Sequence, residues 1–254
     1  MSELLVVTDL DGTLLDHDSY SFDAATEALA ELRQRKVPLV LCSSKTRPEM
    51  EALQRSLQID APFICENGAA IYTPGETEPD ALVPPRSRVL AILQRLREQE
   101  GFAFTGFADM SVAEIARATG LSADAAALAA QRDFSEPLRW EDSAARLQQF
   151  HRHLARHQLS AQQGGRFLTV AGPTDKGKAL TRLRQRYRAD ATVIALGDSP
   201  NDLPMLAVAD IAVIIKSARS AGMDPQGPSR VIRSTAPGPA GWQEAMLPLL
   251  AEFN

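Results

Sequence analysis

Five short apolar runs each end in polar residues: ELLVVTD (3–9), VPLVLCSS (37–44), APFICENG (61–68), ATVIALGD (191–198) and DIAVIIK (210–216). They are rich in Val, Ile and Leu, and none alternates apolar with polar. Continuous runs of this kind predict strands covered on both faces, as in a parallel sheet. Helical periodicity lies between them. Phe22, Ala25, Leu29 and Leu32 recur at three- and four-residue spacing over 22–36. Met50, Leu53 and Leu57 do so over 48–58, where Pro48 suits a first helical turn. A further helix is predicted over 177–188, after PTD.

Strand–helix alternation predicts right-handed βαβ units, hence an α/β fold with a doubly wound parallel sheet, Rossmann-like. In such sheets ligands bind beyond the carboxyl ends of the strands. The residues closing the runs therefore converge on one edge: Asp9, Ser43, Glu66, Asn67 and Asp198.

The middle of the chain differs. Residues 72–87, YTPGETEPDALVPPRS, hold four prolines and read as a linker. Helices are predicted over 87–99, 111–118, 122–131 and 142–157, with strand patterns at GFAFTG (101–106), PLRW (137–140) and RFLTVAG (166–172). This organisation predicts an inserted α+β domain over 85–166, dividing a core domain into 1–84 and 167–254.

Charge excludes some classes of partner. The formal net charge of -5 offers no basic footprint for nucleic acid. No apolar stretch approaches the ~20 residues that span a bilayer. The opening MSELLVV lacks the basic and long apolar regions of a signal peptide, so a cytoplasmic protein is expected. Cys42 and Cys65 lie inside apolar runs with no CxxC spacing, which predicts buried, reduced thiols. His151, His153 and His157 crowd one arginine-rich helix that reads as a solvated face.

The chemistry starts with VVTDLDGTLLD (6–16), where Asp9 and Asp11 stand two apart at a strand end. Two carboxylates on one side of an extended segment can divide labour, one attacking or holding a metal, the other moving a proton. Taken alone, the pair also fits a cap leading into a loop. Asp198 and Asp202, in ALGDSPNDLPML, place further carboxylates at another strand end. Hard divalent ions take one or two carboxylates together with waters and phosphate oxygens. Asp202 also fits a helix cap. Lysine is scarce, five against 22 arginines, yet Lys45, Lys176 and Lys178 fall in LCSSKTR and GPTDKGKAL. A lysine where arginine is the usual cation suits a compact point charge.

In order and placement, DLDGT, Ser43, Lys176 and GDSPND resemble the four motifs of the haloacid dehalogenase superfamily of phosphohydrolases, and the insertion resembles the α/β cap of its Cof-like subgroup. That resemblance implies Asp9 as nucleophile, Asp11 as acid and base, and Ser43 and Lys176 on phosphoryl oxygens. It implies Mg²⁺ held by Asp9, the Asp11 carbonyl and Asp198, with Asp202 in support. A narrower set, including LCSSKTR, ICENGAAIY, DMSVAEIARATGLS, QRDFSEPL and GPAGW, is similar to the mannosyl-3-phosphoglycerate phosphatase family. It implies a small phosphorylated sugar–glycerate substrate. Ser44, Lys45, Arg47, Asn67, Arg132 and Arg166 are candidates to bind it, surface ion pairs being the competing reading for Arg132 and Arg166. Competing functions are hydrolysis of glucosyl-3-phosphoglycerate or sucrose phosphate, and a phosphoacceptor signalling module.

Overall fold

The computed structural model describes residues 4–253. Along the chain come β1 (Leu4–Thr8), α1 (Thr26–Gln34), β2 (Leu39–Cys42), α2 (Arg47–Leu57), β3 (Phe63–Cys65) and β4 (Ala70–Tyr72). Then follow β5 (Asp80–Ala81), α3 (Arg86–Glu100), β6 (Phe104–Gly106), α4 (Val112–Thr119), α5 (Ala123–Ala129), β7 (Glu136–Trp140), α6 (Ala144–Arg156), β8 (Ser160–Gly164) and β9 (Phe167–Ala171). The last stretch holds α7 (Lys176–Arg184), β10 (Thr192–Gly197), α8 (Leu203–Ala207), β11 (Ile211–Lys216), β12 (Arg230–Pro237) and α9 (Gly238–Glu252). Two compact units result. One comprises the chain up to Ser44, Ile59–Glu78 and the chain from Asp175 on; the other comprises Lys45–Gln58 and Pro79–Thr174.

In the first unit, strands lie side by side in the order β12-β11-β10-β1-β2-β3-β4. β1 sits between β10 and β2, parallel to both, with Leu4 opposite Thr192 and Val6 opposite Leu39. All five residues of β1 and all four of β2 are buried, as the unbroken apolar runs predict. Each such Val, Leu or Ile contributes roughly 1.5–3 kcal/mol by leaving water. β4 runs antiparallel to β3, so the sheet is not wholly parallel. The link between them is a tight turn, too short for the crossover that parallel strands need. Glu66, Asn67 and Gly68 make it with φ of 47°, 58° and 95°. β12 escaped the sequence pattern because it is polar: Arg230, Arg233 and Thr235 are exposed, and charges protect such an edge.

In the second unit, an antiparallel sheet runs in the order β6-β7-β9-β8. Val89, Ile92, Leu93 and Leu96 of α3 and Phe150 and Leu154 of α6 pack with Phe104, Leu138, Leu168 and Val170 of the strands. Two boundaries differ from the sequence expectation. Residues 167–171 pair with β7 and β8 instead of joining the core sheet, and their alternating burial is that of a half-covered antiparallel strand. Residues 45–58 also group with this unit: Thr46, which caps α2, donates its hydroxyl to the Leu128 carbonyl at 3.0 Å, just beyond Ala126 and Ala127 in α5. His153 is not merely solvated. It packs edge-on against Phe102, with Nδ1 3.7 Å from a Glu100 carboxylate oxygen.

Candidate active site

β1 delivers Asp9 to the sheet edge. The Asp9 N–H donates to the Leu196 carbonyl at 2.9 Å, so the ladder with β10 holds up to this residue. The chain then folds back, with the Gly12 N–H on Leu15 O and the Thr13 N–H on Leu10 O. Gly12 has a φ of +83°, and a Cβ there would stand 2.9 Å from Asp198 Oδ2. Glycine thus satisfies both the left-handed turn and the close approach of the carboxylate.

Lys176 opens α7, behind the Asp175 cap whose Oδ1 accepts the Lys178 N–H at 2.8 Å. A cation at a helix N-terminus faces the wrong end of the dipole, so something must outweigh it. Lys176 Nζ donates to Asp9 Oδ1 at 2.5 Å and to Asp202 Oδ1 at 2.7 Å, and the residue is 1% exposed. Burial alone would lower its pKa; the Asp202 and Asp9 charges prevail and hold it above the usual lysine range.

β10, parallel to β1, ends at Gly197 and places Asp198 beside Asp9. Asp202 Oδ2 accepts the N–H groups of Asp198 and Ser199, each at 3.0 Å. Both Asp202 oxygens are therefore engaged by protein groups, one on Lys176 and one on the turn. The residue orients the lysine and the Asp198 backbone from behind. Ser217 donates to the Asp198 carbonyl at 2.8 Å, Thr13 reaches Asp198 Oδ1 at 3.4 Å, and Arg219 stands 3.6 Å from Asp198 Oδ2.

Among the described residues, carboxylate oxygens of Asp9, Asp198 and Asp202 lie within 4.8 Å of one another, all in buried residues. Burial, then the Asp202 charge, raises the Asp9 carboxyl to about 7, with Lys176 opposing. Burial and Asp202 raise Asp198 as well. Three buried carboxylates around one buried ammonium leave an excess of negative charge, and the donors are all oxygen. That set fits a hard divalent cation, and the Gly12 cradle keeps Asp198 Oδ2 clear of any side chain on that face. Cys42, beneath this edge, is a free thiol that burial pushes up to about 12, so it stays neutral.

The other predicted residues divide between the units. Ser43 is 1% exposed; its N–H donates to Ile64 O, and its carbonyl accepts the Asn67 N–H at 2.9 Å. Asn67 Oδ1 accepts from Asn201 at 3.5 Å, which ties the β3–β4 turn to the Asp198 turn. Ser44 follows in the first unit, while Lys45, Arg47, Arg132 and Arg166 belong to the second. Arg47 pairs with Glu51 at 2.7 Å. Arg132 donates to Ser135 Oγ at 2.9 Å, and Arg166 donates to the Ala118 carbonyl at 3.0 Å. Sequence reasoning passed over Asn201, Ser217 and Arg219. Ser217 directly follows the fifth apolar run, so the strand-end criterion, extended by one residue, could have found it.

Gly68 shows how tightly the edge is assembled. A Cβ there would lie 2.2 Å from the Asp175 carbonyl, at a φ of +95°. Gly68→Ala is expected to destabilise the protein by about 1–3 kcal/mol in urea unfolding and to lower kcat by displacing the start of α7. Unchanged stability and rate would refute this packing.

The sequence profile of the haloacid dehalogenase-like hydrolases matches residues 6–221. The chain belongs to this family. A phosphatase from Methanococcoides burtonii, described as acting on glucosyl-3-phosphoglycerate and mannosyl-3-phosphoglycerate, is 35% identical over 98% of both chains. Among solved structures, a phosphatase of the haloalkanoate enzyme superfamily from Bacteroides thetaiotaomicron superimposes with a TM-score of 0.70 at 18% identity, covering 99% of this chain and 96% of that one. A protein from Thermotoga maritima gives 0.68 at 19%, covering 98% and 97%. These likenesses carry the fold. Membership and the similarity to the Methanococcoides enzyme make this haloacid dehalogenase-like protein a phosphoric monoester hydrolase. Among its described residues, no helix is long and apolar enough to cross a membrane.

Proposed function

We propose that the protein hydrolyses a glycosyl-3-phosphoglycerate, with mannosyl-3-phosphoglycerate the favoured substrate, through a phosphoryl group carried on Asp9. The observation behind this reading is the meeting of Asp9 and Asp198, from the ends of paired strands, in one buried cluster with Asp202, and the ion pairs of Lys176 with Asp9 and Asp202. The substrate class rests on the 35% identity to the Methanococcoides phosphatase.

In the proposed reaction, an Asp9 carboxylate oxygen attacks phosphorus and the bond to the glycerate oxygen breaks. Asp11 gives its proton to that oxygen. Asp11 then takes a proton from water as the water oxygen attacks the aspartyl-phosphate, releasing phosphate and restoring Asp9. Lys176 and Ser43 hold equatorial phosphoryl oxygens and offset their charge. Asp9, the Asp11 carbonyl and Asp198 would hold Mg²⁺, which supplies charge neutralisation at the phosphoryl group and favours the ionised form of Asp9. Asp202 positions Lys176. Ser44 and Asn67, and the basic residues Lys45, Arg47, Arg132 and Arg166, are proposed to recognise the glycerate carboxylate and sugar hydroxyls, the inserted unit being the seat of substrate choice. Arginine suits the carboxylate because its fork is bidentate.

The test is steady-state phosphate release with Mg²⁺, before and after chelation, from mannosyl- and glucosyl-3-phosphoglycerate beside free hexose phosphates and sucrose phosphate. The mannosyl compound is expected to give the highest kcat/KM, at least about a hundredfold above free sugar phosphates, with activity lost on chelation. Equal turnover of hexose phosphates would overturn the substrate assignment, and full activity after chelation would overturn the metal.

A further inference from the structure

We infer that Thr8 and Trp242 are positioning residues that aim Asp9, acting through one shared hydroxyl. This inference rests on the reading of Asp9 as the nucleophile.

Parallel pairing of β1 with β10 has Asp9 donating to Leu196 O. The same ladder, continued one step, would bring the Asp198 N–H onto the Asp9 carbonyl. It does not: the Asp198 N–H goes to Asp202 Oδ2. The Asp9 carbonyl is taken instead by the Thr8 hydroxyl at 2.7 Å. Thr8 is fully buried, and a serine-type hydroxyl is free to rotate unless a neighbour fixes it.

The neighbour is Trp242 in α9, also fully buried, whose Nε1 donates to Thr8 Oγ1 at 3.0 Å. An indole N–H only donates. The Thr8 oxygen must therefore accept from it, and its own proton is directed to the Asp9 carbonyl. The relay fixes the peptide plane between Asp9 and Leu10, and with it the direction of the Asp9 carboxyl. Its anchor is itself tightly seated. A Cβ on Gly241, the residue before the tryptophan, would stand within 3 Å of Ala236 O and Ser234 Oγ, at 2.0 and 2.6 Å. GPAGW thus has a physical reason to carry both a glycine and a tryptophan.

Trp242→Phe keeps most of the buried ring and removes the donor. Thr8→Val keeps the shape and removes the hydroxyl. Each is expected to lower kcat by about tenfold or more, with KM within about twofold, because the contacts to substrate stay in place. Thr8→Ser should restore most of kcat. The double variant Thr8→Val/Trp242→Phe should be no slower than the worse single one, since both act through one hydroxyl. Far-UV circular dichroism and a melting curve establish that each variant is folded at the assay temperature. Wild-type kcat in folded Trp242→Phe overturns the inference. So do losses that multiply in the double variant, or a fall in kcat that follows melting temperature alone and that Thr8→Ser does not repair. Activity in Asp9→Asn would instead strike the nucleophile reading, so the two failures are distinguishable.

Discussion

Lys176→Met is expected to abolish turnover and to destabilise the protein by about 3–5 kcal/mol at neutral pH. The side chain is 1% exposed and joins Asp9 to Asp202. Methionine matches its length but leaves two buried carboxylates facing each other without a cation. The deficit should grow with pH, because the Asp9 carboxyl, raised to about 7 by burial and then by the Asp202 charge, can take up a proton in acid and is left charged in base. Urea unfolding between pH 5 and 8 measures it. A variant as stable as the parent at pH 8 would show that the lysine does not hold this edge together.

The second large effect concerns Asp9→Asn, whose kcat should fall by about four orders of magnitude or more if Asp9 is the nucleophile proposed above. Its stability should move the other way. The Asp9 carboxyl is raised from 3.8 to about 7 by burial and then by Asp202. The folded chain therefore keeps a proton that the unfolded chain releases between those values. This contribution to stability is complete below about pH 4 and is lost as pH rises through about 7. Asparagine never ionises. In metal-free protein at pH 8 the variant should thus be the more stable by up to about 4 kcal/mol, less whatever Lys176 loses when its partner becomes an amide. The difference should vanish toward pH 4. Thermal unfolding with a chelator present is the measurement; a variant less stable at pH 8 would mean that the Lys176 pair outweighs desolvation.

How much of this was legible in the sequence follows from what each signal measures. Unbroken apolar runs report burial on two faces, so β1, β2, β10 and β11 could be read directly, and so could the residues closing them. The exposed edge strands β8 and β12 carry SAQQG and RVIRSTAP, in which no burial pattern exists to be read. β9 was visible as a strand, but its pairing was not, since assignment to a sheet depends on partners far along the chain. Within the site, the sequence left Asp202 between cap and metal ligand. Its two oxygens show why no choice of one role sufficed: Oδ2 holds the turn and Oδ1 holds Lys176. The Thr8–Trp242 contact spans 234 positions and follows no period, so nothing in the pattern announced it.

The pairing of β1 with β10 also has a consequence for biosynthesis. Leu4 leaves the ribosome long before Thr192, the residue it lies against. Throughout that interval the first strand has no inner neighbour on one side, and Asp9 and Asp11 lack Lys176, Asp198 and Asp202. The insertion over Pro79–Thr174 is complete before Lys176 is made and holds its own apolar core, so it can fold while the remainder waits. Loop closure across nearly the whole chain then becomes the late, slow event. A chain that ends before Asp202 would lack part of the carboxylate cluster, and one that ends before Trp242 would lack the anchor of Thr8, so full turnover is expected only after both have been made.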